Sequence, residues 1–363
     1  MNKKILLVGL LVLLVLVGFL TVFLSPSTST NDSSSLKVVN FNGTEINMIF
    51  TGDVMLGRNI GYSLDNGVDV FAGVRSIFQS SDFVVANIEA PFTDSSNGVK
   101  SSYCLKAKPK YAKLLADNNI KVACLANNHI MDYGIEGYQD CVANLDANGI
   151  LHTGAGSNID EAITPAYVTV DGKKIAIIDF QDKNSFLAYS DSQMPTATNN
   201  RTGYAPAQLD LINKSVETAK ANADFVVVDF HFGNELHKSP NQYQYKFARA
   251  AIDAGADLVV GHHPHVFQKI ENYKGKLIFY SLGNTIFDAV TPACRQSALL
   301  RVKIVDGDLQ ATLYPISISS KGSNLMSKGS AEGFLKSIPT SGVDLKIDNG
   351  EGKIVLKDYM NSN

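Results

Sequence analysis

Ala256-Asp257-Leu258-Val259-Val260-Gly261-His262-His263-Pro264-His265 places three histidines directly after a short apolar run. The apolar part reads as a buried strand. The histidine part then lies at the strand's carboxyl end, where open α/β sheets place their chemistry. The chain has seven histidines, and three of them fall within four residues here. Neutral imidazole is the commonest side-chain metal ligand. Three unpaired imidazoles in a core are costly, so the cluster points to a metal or an anion.

The same pattern recurs upstream. One apolar run ends Phe50-Thr51-Gly52-Asp53 and a second ends Ala86-Asn87-Ile88-Glu89. A third ends Leu125-Ala126-Asn127-Asn128-His129, and a fourth ends Asp229-Phe230-His231-Phe232-Gly233-Asn234-Glu235. A single polar residue after a strand carries no information. Five strand ends bearing Asp, Glu, Asn with His, His, and His-x-His converge on one cleft if they share a sheet edge. This mixed oxygen and nitrogen set suits a divalent transition metal (Mn, Fe or Zn), as one ion or two, with no thiolate required. A carboxylate bridging two such ions about 3.5–4 Å apart stabilises in-line displacement at phosphorus. Blander roles compete at several positions. Asp53 after Gly52 suits a turn or helix cap, and one of Asn127 and Asn128 is expected to cap the next helix. His152 and His237 read as structural loop residues.

Strand candidates are 46–50, 83–86, 122–125, 175–179, 225–230, 258–260 and 276–280, with helical stretches at 111–118, 137–148, 207–221 and 241–254. That alternation predicts an α/β fold around a central sheet. Asp306-Gly307 joins two strand-like runs, 296–305 and 309–318, as a hairpin turn. Residues 320–333 are small and polar and read as a loop, and 353–359 reads as one further strand.

Residues 1–4 form a short stub carrying Lys3 and Lys4, followed by an unbroken apolar run over 5–24. About 20 apolar residues cross a bilayer as a helix. A cleaved signal peptide has a shorter apolar region of about 7–15 residues and a small-residue cleavage site. Phe23-Leu24-Ser25-Pro26 makes a poor one. The expectation is a single-pass transmembrane anchor, with the two lysines inside and the bulk of the chain extracellular. Residues 25–44 are then a flexible linker, 45–320 the main domain, and 321–363 a C-terminal extension packed on it. With net charge −3 and pI near 6.2, the chain has no electrostatic footprint for nucleic acid. Of the four cysteines, Cys104 and Cys294 lie in loop-like segments and are expected to pair outside the cell, while Cys124 and Cys141 stay reduced.

Several of these motifs, taken in order, carry a resemblance. They are 50–58 (Phe-Thr-Gly-Asp-Val-Met-Leu-Gly-Arg), 86–91 (Ala-Asn-Ile-Glu-Ala-Pro), and 125–129 with Asp132-Tyr133-Gly134. Gly154-Ala155-Gly156, His231-Phe232-Gly233 with Glu235, 261–265, and Tyr280-Ser281-Leu282-Gly283-Asn284 complete the set. Across roughly residues 46–290 the chain resembles the CapA-type poly-γ-glutamate capsule synthesis proteins, a branch of the calcineurin-like metallophosphoesterases. The resemblance implies a four-layer αββα sandwich with the motifs at one edge, here preceded by one transmembrane helix. It implies Asp53, Glu89, Asn128, His231, His263 and His265 as metal ligands, with His129, as general acid or anion stabiliser, and Arg58 as the catalytic residues. It also implies a departure: where the wider pattern has a second histidine ligand in the first motif, this chain has Met55. A thioether does not replace imidazole for a borderline ion.

The resulting expectation is a membrane-anchored extracellular protein at the cell membrane, assisting synthesis or export of poly-γ-glutamate or a related anionic envelope polymer. Its partners would be the membrane, the polymer, and membrane proteins including a separate ATP-dependent ligase. The ligase is assigned to another chain because no Gly-x-x-x-x-Gly-Lys-Ser/Thr loop occurs. Two alternatives stand beside this: a metal-dependent phosphoesterase acting on an envelope substrate, and a non-catalytic polymer-binding scaffold.

Overall fold

The computed structural model describes residues 39–41, 45–99, 103–185, 195–288 and 291–361. Two large sheets dominate. The ten-stranded sheet runs, edge to edge, through Lys346–Asp348, Glu351–Leu356, Asp308–Ser319, Gln296–Val305, Ile46–Val54, Phe83–Ile88, Ile120–Cys124 and Leu151–Thr153. Asn284–Ile286 and Gly322–Leu325 pair alongside that path. The eight-stranded sheet runs through Val39–Phe41, Ala166–Val170, Lys173–Gln181, Phe225–His231, Leu258–His262, Lys276–Phe279, Ile270–Tyr273 and Thr340–Ser341.

Strand periodicity explains the layering. Along Ile46–Val54, the side chains of Ile46, Met48 and Phe50 join a core shared with Ile175, Ile177, Phe225, Val227, Leu258 and Val260 of the other sheet. Ile49 and Val54 point the opposite way, into a second core with Ile60, Phe78, Leu115 and Leu145 from helices. The outward residues Ala176, Ile178, Val226 and Val228 pack against Ile212, Val216, Phe247 and Ala251 of the helices Leu209–Lys220 and Gln242–Asp253. The sheets therefore face each other across a dry core, and helices cover both outer faces. The helix Gln242–Asp253 starts with a capping box between Asn241 and Gln244.

In each sheet the strands that matter are parallel neighbours. Ile46–Val54, Phe83–Ile88 and Ile120–Cys124 run together, as do Lys173–Gln181, Phe225–His231 and Leu258–His262. Their carboxyl ends are thus delivered to one edge. The hairpin at Asp306-Gly307 forms as the turn chemistry dictates, with both residues at positive φ and Val305 opposite Asp308.

Three expectations are corrected. Among the described residues no helix is long and apolar enough to cross a membrane. The longest described helix, Gly134–Ala147, has 14 residues, about 21 Å at 1.5 Å per residue against a bilayer core of about 30 Å. The transmembrane helix, the cell-membrane localisation with an extracellular bulk, the membrane-anchored role in polymer synthesis or export, and with them the membrane and ligase partners are therefore set aside; residues 5–24 themselves lie outside the described residues. Second, no disulfide joins Cys104 to Cys294. Cys104 Sγ meets the Asp132 carbonyl oxygen at 3.4 Å, and Cys294 Sγ meets Thr291 Oγ1 at 3.0 Å. Third, the presumed loop over 320–333 contains the strand Gly322–Leu325 and the start of the helix Lys328–Lys336. Val39–Phe41, within the expected linker, pairs with Ala166–Val170.

Candidate metal centre

Asp53 is the next-to-last residue of its strand and is fully buried. Gly52 lets that strand approach the Gly283-Asn284 backbone: a Cβ on Gly52 would collide with the Gly283 carbonyl, which accepts the Asp53 N–H at 2.9 Å. Asp53 Oδ1 accepts from Asn87 Nδ2 at 2.8 Å, and Oδ2 lies 3.1 Å from His265 Nδ1. Burial opposes ionisation of Asp53. Contacts with His262 and His265 outweigh it and hold the carboxyl well below the usual carboxylate range.

Glu89 follows the strand Phe83–Ile88 and is also fully buried. Neither of its carboxylate oxygens has a hydrogen-bond partner. Its Oε1 is instead faced by three imidazole nitrogens: His265 Nε2 at 3.7 Å, His231 Nε2 at 3.8 Å and His129 Nε2 at 4.0 Å. Burial, then the charge of Asp53, pushes the Glu89 carboxyl well above its ordinary value. A buried carboxylate without donors is expensive. These separations are too long for hydrogen bonds. They are close to the roughly 3–3.5 Å between neighbouring donors that share an ion through bonds of about 2.0–2.2 Å.

His231 Nε2 is the convergence point. It lies 2.8 Å from Asn128 Oδ1 and 3.1 Å from His263 Nδ1, while Nδ1 of the same ring meets Asn87 Nδ2 at 3.2 Å. His263 Nε2 donates to the Ser185 carbonyl at 3.0 Å, which leaves Nδ1 as the lone pair aimed at His231. Burial, then neighbouring imidazole charge, pulls His231 well below its usual value and His263 down to about 3. Both rings are neutral at pH 7, as ligation requires. His263 and His265 sit at φ 93° and 57°, a left-handed conformation that non-glycine residues hold only where the surroundings impose it.

All six residues expected as ligands therefore lie at one edge. Asp53, Glu89 and His231 form a buried group of metal-binding geometry, and Asn128, His263 and His265 adjoin it. His129 stands beside them with Nδ1 2.7 Å from Asp132 Oδ2. Arg58 lies at the rim: it pairs with Asp288 and covers the Phe287 ring, whose centroid is 4.8 Å from that of His265. Asn127 takes the local capping role, accepting the His129 N–H at 3.1 Å. His237 is exposed, against the Glu235 carbonyl. Met55 is buried in a small apolar cluster with Ala90, Leu105 and Phe287, and its sulfur accepts the Gly57 N–H. That side of the centre offers an ion no donor from Met55.

Sequence reasoning missed a second buried group, Cys124, Asp179 and Asp229, also of metal-binding geometry. Burial pushes all three upward. Asp179 and Asp229 sit side by side in register on neighbouring strands. Asp179 and Asp229 lie at or near the ends of apolar runs, and those two further strand-end carboxylates were the available signal. His262, between the two groups, was also missed.

The chain is a mixed α/β sandwich with a buried Asp, Glu and His group that could hold a metal ion at the edge where strand ends of its two sheets meet. The chain belongs to the family described as bacterial capsule synthesis protein PGA_cap, whose model matches residues 47–289. It is 37% identical over 270 residues to the PGA biosynthesis protein CapA of Bacillus subtilis, covering 73% of this chain and 69% of that protein. It is 34% identical over 285 residues to the capsule biosynthesis protein CapA of Bacillus anthracis, covering 76% and 68%. A probable polyglutamine synthesis accessory protein of Mycobacterium tuberculosis is 31% identical over 220 residues, covering 58% and 56%.

Proposed function

We propose that this CapA-like chain is a metal-dependent phosphoesterase acting on a substrate of the cell envelope. The observation that carries the reading is Glu89, whose two buried oxygens lack hydrogen-bond partners while three imidazole nitrogens face one of them at 3.7–4.0 Å. Glu89, Asn128, His231 and His263 would hold one divalent transition ion. Asp53 and His265 would furnish a second, weaker position, short of one donor because Met55 is apolar. An ion held there supplies Lewis-acid stabilisation of charge developing on a phosphoryl oxygen. His129, its Nδ1 occupied by Asp132, turns Nε2 toward the centre and donates a proton to the leaving oxygen. Arg58, held over Phe287 by Asp288, draws the anionic group to the rim. The capsule and PGA biosynthesis names of the relatives support an envelope substrate.

The test is metal analysis of the full chain together with hydrolysis of an aryl phosphodiester in added Mn²⁺. The expected result is at least one ion per chain and metal-dependent turnover. His129→Ala should keep the metal and lose about 10²- to 10⁴-fold in rate. A metal-loaded chain inert toward both phosphodiesters and phosphomonoesters overturns the catalytic reading in favour of a polymer-binding scaffold.

A further inference from the structure

His262 lies between the two buried groups and belongs to neither proposed ligand set. Its strand, Leu258–His262, runs beside the Asp229 strand in the eight-stranded sheet, whereas Asp53 belongs to the ten-stranded sheet. The ring is buried, with Nε2 3.0 Å from Asp229 Oδ2 and Nδ1 3.3 Å from Asp53 Oδ1. It therefore straps the sandwich together, hydrogen-bonded to Asp229 on one side and in ion-pair contact with Asp53 on the other. On Asp53 the strap acts on one oxygen only. Oδ1 faces His262 and accepts from Asn87, while Oδ2 is left toward His265.

We infer that His262 is a positioning residue, braced by Asp229, that fixes the Asp53 carboxylate so that Oδ2 alone is presented to the metal position. The inference rests on the metal-binding part of the proposed function. Asp53 has no other charged contact on its Oδ1 side among the described residues. Without the strap, Asn87 alone would restrain the rotation of that carboxylate. Partners that orient a ligand in this way typically alter metal affinity by about 10- to 100-fold when removed.

The test uses the full chain with Mn²⁺ and Co²⁺ as probes, measuring affinity by competition with a chelator and geometry by the Co²⁺ absorption spectrum. His262→Phe keeps an aromatic ring but removes both nitrogens. It should weaken binding about 10- to 100-fold and change the Co²⁺ spectrum. His262→Asn places an amide nitrogen near the lost Nδ1 while breaking the link to Asp229, and should recover part of the affinity; it also serves if the Phe variant does not fold. A wild-type chain that binds metal, with both variants matching it in affinity and spectrum, overturns the inference and leaves the metal reading standing. Equal losses in the Phe and Asn variants with an unchanged spectrum also overturn it, because a purely structural role would produce that. A wild-type chain that binds neither ion overturns the metal reading and this inference together.

Discussion

Asp132 Oδ2 lies 2.7 Å from His129 Nδ1, three residues back along the chain, and the same oxygen accepts the Leu105 N–H at 2.7 Å. The imidazole is thereby held with Nε2 toward Glu89. A carboxylate at Nδ1 keeps a proton there and favours the doubly protonated ring, whose Nε2–H is the proton the acid role needs.

Asp132→Asn tests that role. The amide oxygen still accepts from Leu105, so folding and metal content should be retained. With that oxygen in the place of Oδ2 the contact to His129 Nδ1 is kept but its negative charge is lost, which disfavours the protonated ring. The expected result is a loss of at least about tenfold in phosphodiester turnover, approaching the general-acid limit of about 10²–10⁴. Unchanged turnover alongside a defective His129→Ala variant would mean that His129 needs no orienting partner.

Glu89→Gln should abolish tight metal binding and yet stabilise the metal-free chain. The carboxyl is destabilised by burial, with its folded pKa raised. For a raised carboxyl the folded state binds more protons than the unfolded state, so the penalty is absent below an unfolded pKa of about 4.3 and grows as pH rises above it. The gain from Glu89→Gln should be on the order of 1 kcal/mol at pH 7 and vanish toward pH 4. Chemical denaturation of the chelator-treated protein at both pH values checks this; a destabilised variant at pH 7 would contradict it.

Metal uptake should release a proton. In the metal-free chain burial opposes protonation of His265, but Glu89 and Asp53 outweigh it and push the ring up to about 10. His231 and His263 are already neutral. Ligation by His265 requires its neutral form, so affinity at that position should rise by about tenfold per pH unit between pH 6 and 8. Calorimetry in buffers of different ionisation enthalpy should report the released proton. Heats independent of buffer would contradict the assignment.

Gly52→Ala should damage the site without touching a ligand. The added methyl group meets the Gly283 carbonyl, which already bonds the Asp53 N–H. Parting the two backbones moves Asp53 away from Asn284, whose Oδ1 lies 2.9 Å from His265 Nδ1. A loss of about 1–3 kcal/mol is expected, together with weaker metal binding. Wild-type stability in a denaturant titration would show that the backbones can separate freely.

Much of this candidate centre was legible because its polar residues stand where apolar runs stop. Asp53, Glu89, Asn128, His231, His263 and His265 each close or follow such a run, and parallel pairing gathers those ends. What stayed hidden is set by packing across the sandwich. Asp179 and Asp229 pair in register within one sheet, and only the facing of the two sheets brings Cys124 to them. His262 looked like one more member of a histidine cluster, because the direction of a ring at a strand terminus is decided by the neighbours it meets. The first part of the helix Lys328–Lys336, up to Gly333, reads as a loop because Gly329, Ser330 and Gly333 are poor helix formers. Burial of Ala331, Phe334 and Leu335 on one face secures it.

The donors divide evenly between the sheets. Asp53, Glu89 and Asn128 come from the ten-stranded side, and His231, His263 and His265 from the eight-stranded side. Ions held by these six would rivet two layers that meet mostly through apolar side chains, with the His262 contacts to Asp229 and Asp53 among the polar links between them. Shear between the layers would then be coupled to ligation. Amide hydrogen exchange along the strand ends at this edge should slow when metal is added, while the far ends of the same strands keep their rates.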